Sequence, residues 1–473
     1  MDRIENRTFK ELKVGDSASI TRKLTYKDIE LFAIMSGDVN PAHVDAEFAK
    51  NDMFHQIIAH GMWGGALIST VLGTELPGPG AIYLAQSLRF RRPVCIGDTL
   101  TVSVTVAEKF TDRNRITLEC QATNQKGELV ICGTAEVIAP AEKISRERVI
   151  LPEVKLLERG RHYRRLIDAT RGKAPIRTAI VHPVDCVSLQ GAISAAQAKL
   201  IIPVFIGPEA RIRAAAQQAH LDIASYEIIS TEHSLAAGML AVAFARERKV
   251  DALMQGSIHA DELMQVVNTE EGLRSGRRMS YVSAIDVPSF PRPLFVTDAL
   301  LNIYPTLEDK RDIVQNAIDM AHCLGLARPK VALLAAQEAV SGKLPSTLDA
   351  AVLCKMADRG QITGGDVDGP LEFGVALSPE SAQSKGVVSA VAGQADIFLV
   401  PDMEAGSMLV EQLELLADAQ VAGLVVGARV PVILTTRTDS ALTRLGSCAL
   451  ALLMSQSQRT LEKASPLRQE IVA

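Results

Sequence analysis

Hydrophobic and polar residues alternate along much of the segment from Asp98 to Ile138. In "DTLTVSVTV" the side chains of Leu100, Val102, Val104 and Val106 fall on one face, with Thr or Ser on the other. "NRITLECQA" repeats the pattern, and "ELVICGTAEVIA" follows the turn "NQKGE". A period of two predicts β-strands. We therefore expect an antiparallel sheet with one buried face.

A segment without this alternation precedes the strands. "HGMWGGALISTVLGTEL" has the length of a helix and consists mainly of small and apolar residues. A helix that is apolar on all sides is normally enclosed by other elements. We therefore predict that the sheet wraps around this helix.

The pattern changes again after Ala139. The charged stretch 141–158 predicts a linker, and beyond it short apolar runs such as "RTAIVH", "IPVFIG" and "AGLVVG" alternate with Ala-rich helical segments. This order is typical of a parallel sheet covered on both faces. The 473 residues, 47% of them hydrophobic, suffice for two or three cores. We predict one domain over 1–140 and another over 159–473.

Charge and cysteine content narrow the partners and the compartment. A net charge of -5 gives no overall field for nucleic acid or an acidic membrane. The seven cysteines include no C-x-x-C pair, which favours a reducing cytoplasm over a disulfide framework. The N-terminus is charged, and Arg429 and Pro431 interrupt the run "AGLVVGARVPVILTT". We expect a cytoplasmic protein without a membrane or nucleic-acid partner.

The stretch "SGDVNPAHVD" places titratable groups at the end of a predicted helix. Thr25 and Asp28 form a capping pattern, and Gly37 is suited to ending the helix. Asn40 and Pro41 can start a new turn at once. That turn brings His43 close to Asp38, so that a carboxylate and an imidazole share one short loop.

Three interpretations of this stretch remain open on the residues alone. The polar groups can be ordinary turn and cap residues. They can belong to a metal site of His43, Asp45, His55 and His60, although the spacing matches no familiar ligand pattern. They can also carry acid/base chemistry, because Gly61 opens the next helix and helix N-termini offer N–H groups to an oxygen gaining negative charge.

Together "SGDVNPAHVD", "IIAHGM" and "LRFRRPVCIGDTL" resemble the MaoC-type (R)-specific enoyl-CoA hydratases over about residues 10–140. The resemblance implies an α+β hot-dog domain. It also implies that Asp38 and His43 hold a water for addition to C2=C3 of an enoyl thioester, while the Gly61 N–H polarises the carbonyl. We assign Asn40 and His60 to substrate binding and expect no metal.

The C-terminal part is similar to the phosphate acetyltransferase and phosphate butyryltransferase family from about 160 to 473. The matching stretches are "TDALLNIYPTLEDKRDIVQNAIDMAHCLG", "MADRGQITGGDVDGP", "VPDMEAGSMLVEQL" and "GARVPVILTTRTDS". The resemblance implies an α/β fold of two subdomains, about 159–300 with 435–473 and about 301–434. It also implies an oligomer that exchanges CoA for inorganic phosphate on an acyl group, with CoA esters as substrates and no further cofactor.

The reaction requires a cation for phosphate, a base for the CoA thiol and donors to the carbonyl oxygen. Arg437 is the candidate for phosphate, because a guanidinium can bind two oxygens at once. Thr436 and Ser440 are candidate donors, and Asp439 is a candidate thiol base or partner of Arg437. Two further residues are assigned to substrate binding: Arg277, which can meet the phosphates of CoA, and Ser407.

Several positions depart from the butyryltransferase pattern. Gln255 stands where a lysine is usual, and Phe373-Gly374-Val375 replaces Asp-Asn-Ala. We therefore predict a bifunctional enzyme, a hydratase joined to a phosphate acyltransferase, and keep two alternatives. The C-terminal domain can be a weakened, CoA-binding or oligomerising partner of the hydratase. The chain can instead be a thioesterase or a non-catalytic acyl-CoA sensor.

Overall fold

The computed structural model describes residues 3–154, 156–157, 160–436 and 439–464. The chain divides into two compact units, Met1–Leu156 and Leu157–Ala473. The division between the two predicted transferase subdomains stays a prediction.

Two antiparallel sheets form the N-terminal unit. One has five strands in the order β2-β4-β5-β6-β3, and the other pairs β1 with β7. The strands are β1 Arg3–Glu5, β2 Ser17–Lys23, β3 Ile82–Phe90, β4 Thr99–Phe110, β5 Arg115–Thr123, β6 Leu129–Ile138 and β7 Ser145–Glu147. The helices are α1 Tyr26–Ser36, α2 Pro41–Val44, α3 Ala46–Asn51 and α4 Gly61–Thr74.

The structure confirms the alternation and the enclosed helix. Leu100, Val102 and Val104 of β4 are fully buried, and they share a core with Ile68 and Val71 of α4. A hydrophobic face of the sheet thus packs on the helix, as in a hot-dog fold. Burial of such side chains stabilises the unit by roughly 1.5–3 kcal/mol each.

The predicted linker contains ordered structure. Strand β7 lies within it and pairs with β1. The buried Asn6 side chain donates to the Glu142 carbonyl at 2.8 Å and accepts from the Ile144 N–H at 2.9 Å. These bonds attach the segment after residue 140 to the N-terminal unit, and composition did not reveal them because the pairing residues lie about 140 positions apart.

One sheet of eleven strands forms the centre of the C-terminal unit, in the order β10-β9-β8-β11-β18-β17-β12-β13-β16-β14-β15. The strands are β8 Ile176–Val181, β9 Ile201–Gly207, β10 Glu227–Ser230, β11 Ala252–Gln255, β12 Ser280–Asp286, β13 Leu294–Thr297, β14 Lys330–Leu334, β15 Asp366–Leu371, β16 Ile397–Leu399, β17 Gln420–Val426 and β18 Val432–Ile433.

Helices cover both faces of this sheet, which confirms the predicted layer order. They are α5 Arg161–Asp168, α6 Cys186–Gln197, α7 Glu209–Gln218, α8 Ser234–Arg246, α9 Ala260–Val267, α10 Leu307–Cys323, α11 Pro345–Asp358, α12 Phe373–Leu377, α13 Pro379–Ser384, α14 Met403–Leu416 and α15 Ala441–Ala464. None of the described helices is long and apolar enough to cross a membrane.

The strands form two parallel groups that run in opposite directions. Strands β10, β9, β8, β11 and β18 are mutually parallel, as are β13, β16, β14 and β15. Between them β17 and β12 give three antiparallel pairings in succession. In the first group β9 and β10 follow β8 on one side, and the next strand along the chain, β11, pairs with β8 on its other side. This reversal of strand order marks the β8–β11 junction as a binding position at the carboxyl ends of the strands.

Close backbone packing in the N-terminal sheet yields a stability prediction. A Cβ on Gly133 of β6 would lie 1.9 Å from the Ser87 carbonyl oxygen. Gly133→Ala must therefore separate two paired strands, and we expect it to destabilise the unit by about 1–3 kcal/mol. The chain has one tryptophan, the buried Trp63, so its fluorescence during urea unfolding reports on this unit.

The control is Gly73→Ala in α4, where a Cβ would meet nothing within 4 Å. Alanine is the better helix former, so this variant should raise stability by up to about 1 kcal/mol. Equal urea midpoints for the two variants would contradict the packing argument.

Candidate active sites

The first site lies where α1, α2 and α4 of the N-terminal unit meet. The Thr25–Asp28 capping box begins α1, and Gly37 ends it in the left-handed conformation. The Asn40 side chain accepts from the Ala42 N–H at 3.2 Å and so begins α2 with Pro41 in its first turn. All of these predicted signals are confirmed.

This geometry brings Asp38 and His43 together with His60. One side-chain ligand atom from each of the three lies within 4.8 Å of the others. Asp38 is exposed and His43 is half-buried, whereas His60 is only 3% exposed. The imidazole rings of His43 and His60 lie 4.0 Å apart between centroids.

Backbone carbonyls determine which imidazole nitrogens are free. The Nδ1 atom of His43 lies 2.9 Å from the Ile58 carbonyl oxygen, which can only accept, so Nδ1 carries the proton. In the neutral ring Nε2 then keeps its lone pair. In the same way His60 Nε2 donates to the Asp38 carbonyl oxygen at 3.0 Å, and His60 Nδ1 is buried without a hydrogen-bond partner in the described part of the chain.

His60 thus fixes the loop of Asp38 through its backbone carbonyl. It precedes α4 as the N-cap residue but makes no side-chain cap bond. Its assignment to substrate binding stays a prediction, while its observed contacts orient the loop.

The first residue of α4 is Gly61, whose helix is 14 residues long. First-turn N–H groups have no acceptor within their helix, so the Gly61 N–H can donate to a ligand oxygen. A Cβ at Gly61 would lie 3.1 Å from the Phe90 ring. Glycine therefore allows the aromatic ring to approach the helix start closely.

The four-residue metal set considered from the sequence does not assemble. Asp45 accepts from the Glu47 and Phe48 N–H groups as the N-cap of α3. His55 lies in a turn with φ 58°, and its Nδ1 is 3.3 Å from the Lys50 carbonyl oxygen. Among the described residues, the group spaced for a metal ion is Asp38, His43 and His60.

The second site lies at the carboxyl ends of β8, β11 and β18. A Cβ at Gly256, directly after β11, would lie 2.4 Å from the Val181 carbonyl oxygen and 2.9 Å from the carbonyl carbon of His182. Only glycine fits this close approach without displacing the loop after β8. The β8–β11 junction is therefore fixed by backbone packing.

Asp185 joins the two loops of this junction. Its carboxylate accepts from the Ser257 hydroxyl and, as the N-cap of α6, from the Ser188 N–H at 2.8 Å. Burial opposes ionisation, but these hydrogen bonds prevail, so the pKa of Asp185 is lowered from its ordinary value of 3.8. The Ser257 hydroxyl also accepts from the Val184 N–H at 3.2 Å.

His182, between these loops, was not predicted from the sequence. It is buried with φ 57°, and its Nδ1 has no hydrogen-bond partner among the described residues. Burial lowers its pKa, and the charge of Arg211 lowers it further. A single histidine after an apolar strand carries no pattern that distinguishes it from a surface loop residue.

Gln255 connects the junction to the predicted phosphate loop. Its side-chain oxygen accepts from the Thr435 N–H at 3.1 Å and its amide nitrogen donates to the Ile258 carbonyl oxygen at 2.8 Å. The Thr435 hydroxyl donates to the Gln255 carbonyl oxygen at 3.2 Å. The residue at a usual lysine position is therefore integrated into the loop.

Asp439 holds the same loop. Its two carboxylate oxygens accept from the Thr436 N–H, at 2.8 Å, and from the Thr436 hydroxyl. Burial raises the pKa of Tyr281 and of Glu414, and the negative charge of Asp439 raises both further. Arg437 lies outside the described residues.

The remaining predicted residues have separate positions. Ser440 accepts from the Thr443 N–H at 3.0 Å just before α15. Arg277 forms an exposed ion pair with Asp319 at 2.5 Å, and Ser407 lies half-buried in α14. No contact with a substrate tests these three assignments, so they stay predictions.

Comparison with known proteins follows the two units. Residues 235–452 match the family model described as Phosphate acetyl/butaryl transferase, and residues 11–126 match the model described as MaoC like domain. A phosphate acetyltransferase of Rhizobium meliloti is 52% identical over 304 residues, which cover 64% of this chain and 96% of the relative. The chain belongs to the phosphate acetyl/butyryltransferase family.

Two solved structures resemble the separate parts. A branched-chain phosphotransacylase from Enterococcus faecalis V583 is 28% identical, covering 59% of this chain and 99% of its own, with a TM-score of 0.53. The R-hydratase PhaJ1 from Pseudomonas aeruginosa is 46% identical, covering 33% of this chain and 99% of its own, with a TM-score of 0.32. The family models and the Rhizobium meliloti relative show that the chain joins a MaoC-like domain to a transferase domain.

The departures from the butyryltransferase pattern have structural roles in this family member. Phe373 packs against Phe398 with ring centroids 5.5 Å apart, and Val375 is buried in the same core. Gln255 links Thr435 to Ile258. These side chains fill and connect the transferase domain, so their presence does not imply a damaged fold.

Asp185→Ala tests the junction of the transferase domain. Loss of an N-cap carboxylate typically costs about 0.5–2 kcal/mol, and Ser257 loses its acceptor as well. We expect a lower thermal unfolding midpoint for the variant, measured by circular dichroism at pH 7. Because the folded-state pKa is lowered, the ionic contribution is present above about pH 3.8 and is lost as pH falls through the folded-state pKa.

Asp222→Ala is the matched control, since Asp222 is exposed and accepts from the Ala224 N–H at 3.0 Å. Its effect should stay within about 0.5 kcal/mol. An Asp185→Ala midpoint equal to that of this control would remove the junction role of Asp185.

Proposed function

We propose that the chain is a bifunctional enzyme of CoA thioesters. The MaoC-like domain hydrates a trans-2-enoyl-CoA to an (R)-3-hydroxyacyl-CoA, and the transferase domain converts an acyl-CoA and inorganic phosphate to an acyl phosphate and CoA. The observation that carries the first activity is the placement of Asp38 and His43 beside the start of α4. The second rests on the 52% identity to a phosphate acetyltransferase.

A water molecule between Asp38 and His43 is the proposed nucleophile. The carboxylate of Asp38 and the lone pair of His43 Nε2 each accept a hydrogen bond from it. As the water oxygen bonds to C3, one of these groups removes a proton, which is then delivered to C2. A positioned proton transfer of this kind contributes about 100-fold to 10,000-fold to the rate.

The π electrons of the C2=C3 bond move onto the thioester oxygen during the addition. The Gly61 N–H at the start of α4 donates to that oxygen, where the helix dipole also favours negative charge. When the enolate collapses, C2 takes the proton and the thioester carbonyl re-forms. The observed crowding by Phe90 keeps Gly61 without a side chain at this point.

The (R) configuration and a trans-2-enoyl substrate follow from the sequence resemblance. The match of residues 11–126 to the MaoC like domain model supports a hydratase over the thioesterase alternative. Separation of the hydration product on a chiral column tests the configuration. An excess of the (S) product would overturn it.

For the transferase domain, a phosphate oxygen attacks the thioester carbonyl, the C–S bond breaks, and the CoA thiolate takes up a proton. We assign phosphate binding to Arg437 and donation to the carbonyl oxygen to Thr436 and Ser440. Asp439 already accepts two hydrogen bonds from Thr436, which favours a loop-holding role over that of thiol base. We expect acyl-CoA and phosphate as partners, no additional cofactor, a homo-oligomer and a cytoplasmic location.

Asp38→Asn tests the hydratase proposal. The amide keeps the size of the side chain but is not a base, so hydration of crotonyl-CoA should fall at least about 100-fold. The measurement is the loss of enoyl absorbance. Phosphate-dependent CoA release from acetyl-CoA or butyryl-CoA, followed with a thiol reagent, should be unchanged and serves as the control for folding.

Unchanged hydration in Asp38→Asn would remove Asp38 from the mechanism. If the wild-type protein bound acyl-CoA without turnover in either assay, it would be a sensor and not an enzyme.

Arg437→Gln tests the transferase proposal, and here hydration is the activity that serves as the control. Loss of the guanidinium should reduce phosphate-dependent CoA release by at least about 10-fold to 100-fold, since hydrogen bonds to charged groups contribute roughly 1.5–3 kcal/mol. Hydration of crotonyl-CoA should be unchanged. CoA release that continues without phosphate in the wild-type protein would instead indicate a thioesterase.

A further inference from the structure

A buried arginine lies behind the predicted phosphate loop. Arg444, in the first turns of α15, is 5% exposed. Its Nη1 donates to the Val187 carbonyl oxygen at 2.9 Å and its Nη2 to the Thr436 carbonyl oxygen at 2.7 Å. No ion pair links its guanidinium to a carboxylate among the described residues.

These two carbonyls belong to segments that follow different strands of the sheet. Val187 lies in the first turn of α6, which follows β8, whereas Thr436 follows β18. Strand β11 lies between β8 and β18 in the sheet. The guanidinium therefore connects the segments that follow β8 and β18, the two neighbours of β11 in the sheet.

The sequence provides space for this side chain. A Cβ at Gly191 in α6 would lie 2.9 Å from Arg444 Cδ and 3.2 Å from its Nη1. The guanidinium thus crosses α6 at a position without a side chain. Any larger residue at 191 would move it away from the two carbonyls.

Two side chains of opposite charge bind Thr436. Arg444 binds its carbonyl oxygen, while Asp439 accepts from its N–H and its hydroxyl. A loop clamped in this way keeps one conformation, which lowers the entropy lost when a ligand binds. Thr436 directly precedes Arg437, the residue assigned to phosphate.

The charge balance also points to an anion. A buried cation without a carboxylate partner is costly, and carbonyl dipoles compensate only part of that cost. The guanidinium lies directly behind the loop that the sequence assigns to phosphate binding. A dianion at the loop would supply the missing negative charge.

We propose that Arg444 is a positioning residue of the phosphate site. It fixes the Thr436 carbonyl from the protein side, and its charge favours inorganic phosphate at the loop. The inference rests on the proposed transferase function. It adds a second arginine that acts through the backbone without touching the substrate.

Arg444→Gln removes the charge and the two-pronged donor. We expect the KM for phosphate to rise at least about 10-fold, because hydrogen bonds to charged groups contribute roughly 1.5–3 kcal/mol, while the KM for acyl-CoA stays within about twofold. Arg444→Lys keeps the charge but lacks the planar fork, so its phosphate KM should lie between those of Arg444→Gln and the wild type.

Gly191→Ala supplies an independent variant that leaves every charge in place. The added methyl displaces the guanidinium, so the phosphate KM should rise in the same direction as in Arg444→Gln. Alanine is favourable within a helix, which keeps this variant informative if Arg444→Gln fails to fold. Arg213→Gln is the control, because Arg213 is exposed and forms a surface ion pair with Glu209 at 2.7 Å.

A second readout does not depend on turnover. Inorganic phosphate should raise the melting temperature of the wild-type protein and of Arg213→Gln, and raise it less in Arg444→Gln and Gly191→Ala. Normal phosphate KM and normal phosphate stabilisation in both latter variants would overturn the role of Arg444 alone. A wild-type protein without phosphate turnover or stabilisation would overturn the transferase proposal together with it.

Discussion

The bond from His43 Nδ1 to the Ile58 carbonyl oxygen decides what the imidazole can do. Because a carbonyl cannot donate, Nδ1 carries a proton, and in the neutral ring the lone pair lies on Nε2. The same type of bond, from His60 to the Asp38 carbonyl, orients the loop that bears the carboxylate. Side-chain donors that bind backbone carbonyls thus set both the protonation pattern and the spacing of the first site.

In the transferase domain, side-chain donors also bind backbone carbonyls, and the main donor is a guanidinium. Arg444 binds the carbonyls of Val187 and Thr436, and Gln255 binds that of Ile258. These acceptors are backbone carbonyls, so their positions depend on the path of the backbone and not on side-chain rotamers. Loops after strands therefore gain a defined conformation although they lie outside the regular hydrogen bonding.

Glycines make these short approaches feasible. At Gly61 the Phe90 ring, at Gly191 the Arg444 side chain and at Gly256 the Val181 carbonyl occupy the space of a missing Cβ. Each of these glycines lies beside a candidate site. Their role is local crowding, since none of the three has a positive φ, and any larger residue would require a neighbour to move.

Alternation predicted the sheet around α4, because burial of every second residue leaves a direct trace in the sequence. Short apolar runs between helical segments predicted the parallel strands, which are buried on both faces. Capping rules predicted the turn that brings Asp38 near His43. The sequence did not predict the positions of Arg444 and His182. Arg444 binds backbone carbonyls, which every residue type carries, and His182 is buried without a sequence pattern that marks it. The ordered part of the predicted linker was missed for a similar reason, because Asn6 binds backbone atoms about 140 residues away.

The two proposed reactions make the same electrostatic demand by different means. Both place negative charge on a thioester oxygen, as an enolate in hydration and as a tetrahedral adduct in acyl transfer. In the proposed mechanisms the MaoC-like domain uses the Gly61 N–H at a helix start, whereas the transferase domain uses the hydroxyl groups of Thr436 and Ser440 together with arginine side chains. Phosphate is itself an anion, so the second site needs additional positive charge that the first does not. Arg444, buried without a carboxylate partner among the described residues, is consistent with that requirement.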